Sequence, residues 1–193
     1  MALPTYNKSQ RRQSFEQLPK AAYVVEIKSA KEEKNKKDDG THLTIFFDIA
    51  EGEYQNYYRK RYDSNKNEDK KWPNDAVFRL TIPYPNCPDY VVTNYDTFFA
   101  DLEDSNNGFV FGGDEKALKG KLIGAKMHIR QTEYNGKVYD HTHMKWSCVA
   151  EDVRKGKITR FPDDVLVQNL FNIFDLYESV KSIFRINLYE RSL

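Results

Sequence analysis

The sequence of 193 residues predicts a mainly β protein (β+α): a five-stranded barrel, a short helix between strands 3 and 4, and a long C-terminal helix. Apolar and polar residues alternate in several segments, Asn135-Gly136 marks a tight hairpin, and apolar residues recur at spacings of three and four near the end. A chain of this length forms one domain, or one domain with an appendage. We therefore divide it into a loosely held arm (residues 1–20), a barrel domain (21–160) and a helical extension (161–193).

Alternation of apolar and polar residues predicts the first strands. The first strand lies in residues 21–30 and the second in residues 41–50, where one face carries Leu43, Ile45, Phe47 and Ile49. Residues 31–40 are almost all Lys, Glu, Asp and Asn, and they predict a loop. The third predicted strand, residues 54–62, is aromatic and basic rather than aliphatic, and residues 76–82 form a further extended piece.

A helix and a hairpin follow. Thr93 fits an N-cap, Asp96 three residues later completes a capping box, and Gly108 is placed to end the helix. Residues 121–133 and 139–150 alternate around the Asn-Gly turn and predict the last two strands. One face of the last strand has Met144, Trp146 and Cys148. Three strands, a short helix and a two-stranded hairpin, in this order, predict an OB-like barrel.

Apolar residues at alternating spacings of four and three predict a helix over residues 163–184. Pro162 and two acids stand at its start, where the helix dipole favours acidic groups. The apolar seam consists of Leu166, Leu170, Ile173, Tyr177, Val180 and Phe184. We expect this stripe to pack across the end of the barrel, to join copies of the chain into a homodimer or larger assembly, or to dock onto another protein.

Charge is distributed unevenly, although 30 Lys and Arg against 29 Asp and Glu give a formal net charge of only +1. Residues 89–115 contain seven acids and no Lys or Arg, whereas residues 119–157 contain nine bases against four acids. Residues 57–71 contain six bases against three acids. The near-neutral total therefore conceals an acidic block between two basic ones, an asymmetry that bears on association rather than on the fold.

The third predicted strand interleaves aromatic and basic side chains. Binding of single-stranded DNA needs rings on which bases stack and cations that follow the phosphates. In an OB barrel, strands 2 and 3 and the loops joining strands 1–2 and 4–5 form such a surface. The candidate binding residues are Lys36, Lys37, Phe46, Tyr57, Tyr58, Arg59, Lys60, Arg61, Tyr62, Arg130, Tyr134, Lys137, Tyr139 and Lys145. The alternative is that the third-strand tyrosines point into the barrel, which alternation requires of about half of them.

No catalytic residue, cofactor or metal site is predicted. His141 and His143 share a strand face, but ordinary strand histidines explain the pair better than a metal clip does. Cys87 and Cys148 are too few for a disulfide scaffold, which favours a reducing cytoplasm. No nucleotide-binding glycine pattern or nucleophile signature is present. No apolar run approaches the roughly 20 residues of a membrane span, and residues 1–18 do not read as a signal peptide.

Several stretches resemble one family of small proteins. They are LPKAAYV at 18–24, FDIAEGEY at 47–54, WP at 72–73, SNNGF at 105–109, LKGKLIG at 118–124 and EYNGK at 133–137. The family is encoded in replication and recombination modules of phages and prophages of Gram-positive bacteria, and some members look like OB-fold single-stranded DNA-binding proteins. The resemblance implies that role here. The chain departs from the family pattern at Ala21 and Ala22, where glycines are usual, and at Asn107, where proline is common.

Together these patterns predict a non-enzymatic protein that coats single-stranded DNA during phage-type replication or recombination in the bacterial host cytoplasm. A phage or host replication or recombination protein is a further expected partner. The first alternative is a protein-interaction module that uses its C-terminal helix and binds little DNA. A metal-dependent nuclease is the second, but the Asp-rich clusters it would need lie in a polar loop and on a helix surface.

Overall fold

A five-stranded antiparallel sheet organises the chain. The computed structural model describes residues 15–34 and 40–167. Its strands are β1 (Ala22–Lys34), β2 (Thr41–Ile49), β3 (Val77–Thr81), β4 (Leu122–Tyr134) and β5 (Lys137–Cys148). Its helices are α1 (Tyr57–Ser64), α2 (Asp89–Ser105) and α3 (Ala150–Arg154), with 3₁₀ turns at Asn74–Ala76 and Glu115–Leu118. The predicted mainly β character with few helices is confirmed.

The strand order along the sheet is β3-β2-β1-β4-β5, so β3 and β5 are its two edges. The core between the sheet and α2 contains the fully buried side chains Ile45, Phe47, Phe98, Ile123 and Met127. Strands β3 and β5 approach each other, with Cα atoms within 8 Å. In the part of the chain described, however, no hydrogen-bonded ladder joins them. The closed barrel expected from the sequence is therefore not seen, and the sheet is open along what we call the β3–β5 seam.

Strand β2 and the β4–β5 hairpin follow the sequence prediction most closely. β2 has the predicted bounds to within one residue, and Leu43, Ile45, Phe47 and Ile49 are all buried. At the hairpin turn, Asn135 and Gly136 have φ angles of 51° and 70°. Both angles are in the left-handed region that a type I′ turn requires, which is why Asn-Gly is found there.

Residues 54–62 do not form a strand, which corrects the prediction for them. Asp48, near the end of β2, is fully buried. Its carboxylate accepts hydrogen bonds from the backbone N–H groups of Ile49 (2.8 Å), Tyr58 (2.9 Å) and Arg59 (3.0 Å). The last two belong to the first turn of α1, whose N–H groups have no partner within the helix. A carboxylate ten residues upstream thus starts a helix here, and β3 takes the place of the third strand.

Helix α2 begins four residues before the predicted N-cap. Thr93 lies inside the helix, where its hydroxyl donates to the carbonyl oxygen of Asp89 at 3.0 Å. Asn106, rather than Gly108, follows the last helical residue. The Asn106 amide bonds to both backbone groups of Leu122, at 2.7 and 3.0 Å, and so attaches the end of α2 to the start of β4. None of the described helices is both long and apolar enough to cross a membrane.

Residues 163–166 are extended rather than helical, which corrects the start of the predicted C-terminal helix. The Val165 N–H donates to the carbonyl of Ile129 at 2.9 Å, and the Val165 carbonyl accepts from the N–H of Gln131 at 2.8 Å. Strand β1 pairs only with the first part of β4, so the remaining edge of β4 is open to this segment. Residues 168–184 of the predicted helix lie outside the described residues.

Residues 15–20, expected to be part of a loosely held arm, pack onto the sheet. Leu18 is buried in the core, and its carbonyl oxygen accepts a hydrogen bond from the hydroxyl of Thr142. Lys20 forms an ion pair with Asp164 at 2.9 Å. Both ends of the described chain are therefore tied to the same region of β4 and β5.

Candidate nucleic-acid interface

The outward face of the β4–β5 hairpin carries a row of aromatic, basic and imidazole side chains. Residues that pair across an antiparallel ladder lie on the same face, and successive pairs alternate between faces. The pairs on the outward face are Tyr134–Lys137, Thr132–Tyr139, Arg130–His141, His128–His143 and Lys126–Trp146. The opposite face carries the buried side chains of Met127, Thr142 and Met144. We call these residues the β4–β5 strip; all are half-buried or exposed except His128, which is buried at 6% exposure.

A β-bulge brings Trp146 onto the strip. Lys126 pairs with Trp146, whereas its neighbour Met127 pairs with Met144, so Lys145 is an extra residue in β5. Strict alternation, as assumed from the sequence, places Trp146 beside Met144 on the core side. The extra residue corrects this, because it turns Trp146 to the opposite face.

The aromatic rings of the strip are accessible. Tyr134 is 69% exposed and Tyr139 is 44% exposed. Trp146 is half-buried, with Lys126 Nζ 5.9 Å and Arg160 Cζ 5.7 Å from its ring centroid. A ring beside cations presents a face for a nucleobase while the cations are in reach of the adjoining phosphates.

Four cations lie on the strip or at its bulge. Lys126, Arg130, Lys137 and Lys145 form no ion pair with any described residue. Arginines elsewhere differ: the ion pairs are Arg59–Asp63 at 2.9 Å, Arg61–Asp75 at 2.5 Å and Arg154–Glu51 at 2.7 Å. An anionic ligand on the strip therefore gains these four cations without breaking an ion pair to a described residue.

Three histidines occupy the middle of the strip. The ring centroids of His128 and His143 are 6.5 Å apart, and those of His141 and His143 are 6.2 Å apart. Burial lowers the pKa of both His128 and His143 below the ordinary value. His128 Nδ1 lies 3.1 Å from the carbonyl oxygen of Asp163. Across residues 15–34 and 40–167, no three His, Cys, Asp or Glu side chains are grouped so as to hold a metal ion.

A groove of about 1130 Å³ opens along the β3–β5 seam and continues over part of the strip. Its walls come from β3, the first half of α2, β4 and β5. Its basic lining residues are Arg79, Lys126, Arg130 and Lys145, and its aromatic ones are Phe78, Tyr90, Phe98 and Trp146. Glu133 is the one carboxylate among the described residues that line it. We call this feature the seam groove.

Tyr57 and Tyr58, both predicted to bind bases, are engaged inside the protein. Tyr58 is 0% exposed, and its ring stands edge-on to that of Phe47 with the centroids 5.7 Å apart. The Tyr57 hydroxyl donates to the carbonyl oxygen of Glu16 at 2.7 Å. Burial raises the pKa of both tyrosines. The structure therefore places Tyr58 in the core, where no base can reach its ring.

The other predicted residues of this segment lie on α1, outside the strip. Arg59 and Arg61 are held by the ion pairs given above, and the guanidinium of Arg61 lies 5.5 Å from the Tyr57 ring centroid. Tyr62 is half-buried, with its ring 5.6 Å from that of Trp72. Lys60 is exposed. Most side chains of the segment predicted as the centre of the interface therefore contact other residues of the protein.

The remaining predicted residues are divided between elements. Phe46 is half-buried on β2, with Lys31 Nζ 5.6 Å from its ring centroid. Leu166 is half-buried in the extended segment after α3. The predicted residues outside the described part of the chain are Lys36, Lys37, Leu170, Ile173, Tyr177, Val180 and Phe184. The structure brings Arg130, Tyr134, Lys137 and Tyr139 together on the strip, with Lys145 at its bulge.

Sequence patterns did not single out Lys126, Trp146, Arg79 or Tyr90. Lys126 could have been identified from the sequence, since it shares the polar side of the fourth predicted strand with Arg130. The position of Trp146 depends on a bulge, and Arg79 and Tyr90 reach the groove only through the tertiary fold. No family model matches the chain, and no curated protein matches it.

Proposed function

We propose that this protein binds single-stranded DNA, without catalysing a reaction, in phage-type replication or recombination. The observation that carries the proposal is the β4–β5 strip, which combines accessible rings with cations that form no ion pair with a described residue, all on one face. The phage-type setting rests on the resemblance of the sequence stretches given above. Four residues proposed from the sequence, Arg130, Tyr134, Lys137 and Tyr139, belong to this strip.

The chemistry of the strip suits a strand that is recognised without strict sequence preference. Each phosphate neutralised by Lys126, Arg130, Lys137 or Lys145 releases counterions, so the affinity falls with salt by about 0.7 log units per log unit for each contact. Stacking on a ring such as Tyr139 contributes about 1–3 kcal/mol per base and is available to every base. Affinity should therefore depend strongly on salt and weakly on sequence.

The topology supports an OB-like fold as part of this proposal. The OB fold is a five-stranded, partly open Greek-key barrel that binds oligonucleotides across its strands and loops. Here α2 separates β3 from β4, and the two edge strands β3 and β5 face each other across the seam. An OB-like protein that is open at this seam fits both the expected element order and the observed sheet.

The test is the fluorescence anisotropy of a labelled oligo-dT at about 50 and about 200 mM NaCl. We expect the wild-type protein to bind, and the double variant Arg130→Ala/Tyr139→Ala to bind at least about tenfold more weakly, since it lacks one cation and one stacking ring. Arg59→Ala/Tyr84→Ala is the matched control, because it replaces an ion-paired arginine and a 47%-exposed tyrosine outside the strip. Absence of binding at low salt, or equal weakening by both variants, would contradict the proposal.

A further inference from the structure

We propose that the seam groove holds a continuing stretch of the bound strand, so that Arg79 and Tyr90 contact DNA from the wall opposite Trp146 and Lys145. This inference rests on the proposed function and extends the site from one face to two walls. Arg79 belongs to β3 and Tyr90 to the first turn of α2, and both line the groove. Neither residue was indicated by the sequence.

Arg79 and Tyr90 are accessible, and neither side chain forms a hydrogen bond or ion pair with a described residue. Arg79 is exposed and forms no ion pair with a described residue. Tyr90 is 67% exposed although it stands beside the buried Val91. A cation and a ring left accessible on the same wall reproduce the chemistry of the β4–β5 strip across the groove.

The groove is continuous with the strip. Lys126, Arg130 and Trp146 belong to the strip and also line the groove. A strand that lies along the hairpin therefore enters the groove at Lys126 and Trp146 without leaving a basic surface. The volume of about 1130 Å³ is slightly above the roughly 300–1000 Å³ that pockets for small ligands occupy, which leaves room for more than one nucleotide.

Charge within the groove also favours a polyanion. Helix α2 is strongly acidic, yet the residues it contributes to the groove are uncharged: Tyr90, Val91, Asn94, Thr97 and Phe98. Asp89 and Asp96 are exposed but do not line it. The described lining thus has four cations against one carboxylate, in a chain whose net charge is only +1. With walls on both sides, the groove accepts unpaired bases between them, which predicts selectivity for single strands over duplex.

The experiment compares Arg79→Ala/Tyr90→Ala with the control Arg59→Ala/Tyr84→Ala on a labelled oligo-dT of about 20 nucleotides, a length that exceeds one OB-fold site. We expect the groove variant to bind about tenfold more weakly and its salt slope to shrink by about 0.7, while the control matches the wild type. Arg79→Lys alone should keep the slope, because it keeps the charge. Equal thermal denaturation midpoints establish that the variants fold.

A second readout uses the two tryptophans of the chain. In a Trp72→Phe background only Trp146 contributes tryptophan fluorescence, and binding of oligo-dT should quench it.

Wild-type affinity of the groove variant, combined with weakened binding by the strip variant Arg130→Ala/Tyr139→Ala, would overturn this inference and leave the proposed function intact. Unquenched Trp146 fluorescence on saturation with DNA would also overturn this inference, because Trp146 lines the groove, and it would exclude Trp146 from the contacts that the β4–β5 strip makes with DNA. Absence of binding by the wild type would overturn both. A change in self-association with unchanged DNA affinity would assign the groove to a protein instead.

Discussion

Two aromatic side chains show how their surroundings decide what a ring can do. Tyr58 is fully buried against Phe47, and its hydroxyl has no hydrogen-bond partner among the described residues. Trp146 is half-buried on the strip, beside the cations of Lys126 and Arg160. The first ring contributes to the core, and the second remains partly exposed on the surface.

Tyr58 should therefore affect stability and leave DNA binding unchanged. Tyr58→Phe removes a buried, unpaired hydroxyl, so we expect the free energy of unfolding to stay the same or rise. Tyr58→Ala empties a core site and should cost about 3–5 kcal/mol. Urea denaturation measures both effects. Weaker oligo-dT binding by a fully folded Tyr58→Phe protein would contradict this assignment.

Acid should destabilise the free protein through His128 and His143. Burial holds the pKa of both histidines below the ordinary value in the folded protein, whereas in the unfolded chain their pKa is about 6.5. The unfolded chain therefore takes up protons first as the pH falls. The free energy of unfolding should decrease from about pH 7 downward, through the folded-state pKa values.

Urea denaturation between about pH 7.5 and about pH 5.5 measures this decrease. His143→Gln removes one of the two titrating groups and should flatten the decline. His42→Gln is the matched control, because it replaces a histidine of β2 that lies outside the β4–β5 strip. An equally steep decline in the His143→Gln and wild-type proteins would exclude His143 as a cause.

At the scale of elements, single side chains from distant parts of the sequence decide how segments fold. The buried Asp48 carboxylate starts α1 by accepting from the N–H groups of Tyr58 and Arg59. Asn106 joins the end of α2 to β4. The bulge at Lys145 places Trp146 on the face of the sheet opposite to the one that strict alternation predicts. Of these features, the Asn106 contact and the bulge place elements that border the strip or the groove, whereas Asp48 places α1, which lies outside both.

Loss of the Asp48 carboxylate should destabilise α1. Asp48→Ala leaves three backbone N–H groups without their acceptor, and we expect a loss of about 2 kcal/mol in the free energy of unfolding. Asp63→Ala, which removes an exposed ion pair on the same helix, should cost less than about 1 kcal/mol. Chemical denaturation compares the two. Equal effects would show that Asp48 does not cap the helix.

These devices also explain which parts of the fold were predictable from sequence. Strand β2 and the Asn135-Gly136 hairpin were predicted because alternation and turn chemistry are local. Residues 54–62 were predicted as a strand because the Asp48 cap is a tertiary contact. Four of the ten strip residues, Arg130, Tyr134, Lys137 and Tyr139, were predicted from the sequence, whereas the position of Trp146 depended on the bulge. Arg79 and Tyr90 join the candidate site only when β3 and α2 meet β5, which no local pattern reveals.

At the scale of the whole molecule, acidic and basic groups are used differently. Several acids of residues 89–115 accept hydrogen bonds within the fold: Asp101 from the Ser147 hydroxyl at 2.5 Å, Glu103 from the Phe111 N–H at 2.8 Å, and Asp114 from the Lys116 N–H at 2.9 Å. The cations of the strip, in contrast, form no ion pair with a described residue. The net charge of +1 therefore hides a local excess of available cations.

The most direct test of DNA binding by the strip is the slope of log affinity against log NaCl concentration for oligo-dT. With Lys126, Arg130, Lys137 and Lys145 each contacting one phosphate, we predict a slope of about −3. Arg130→Ala/Lys137→Ala should reduce its magnitude by about 1.4, since about 0.7 is lost with each cation. A slope near zero, or the same slope in this variant as in the wild type, would contradict the account.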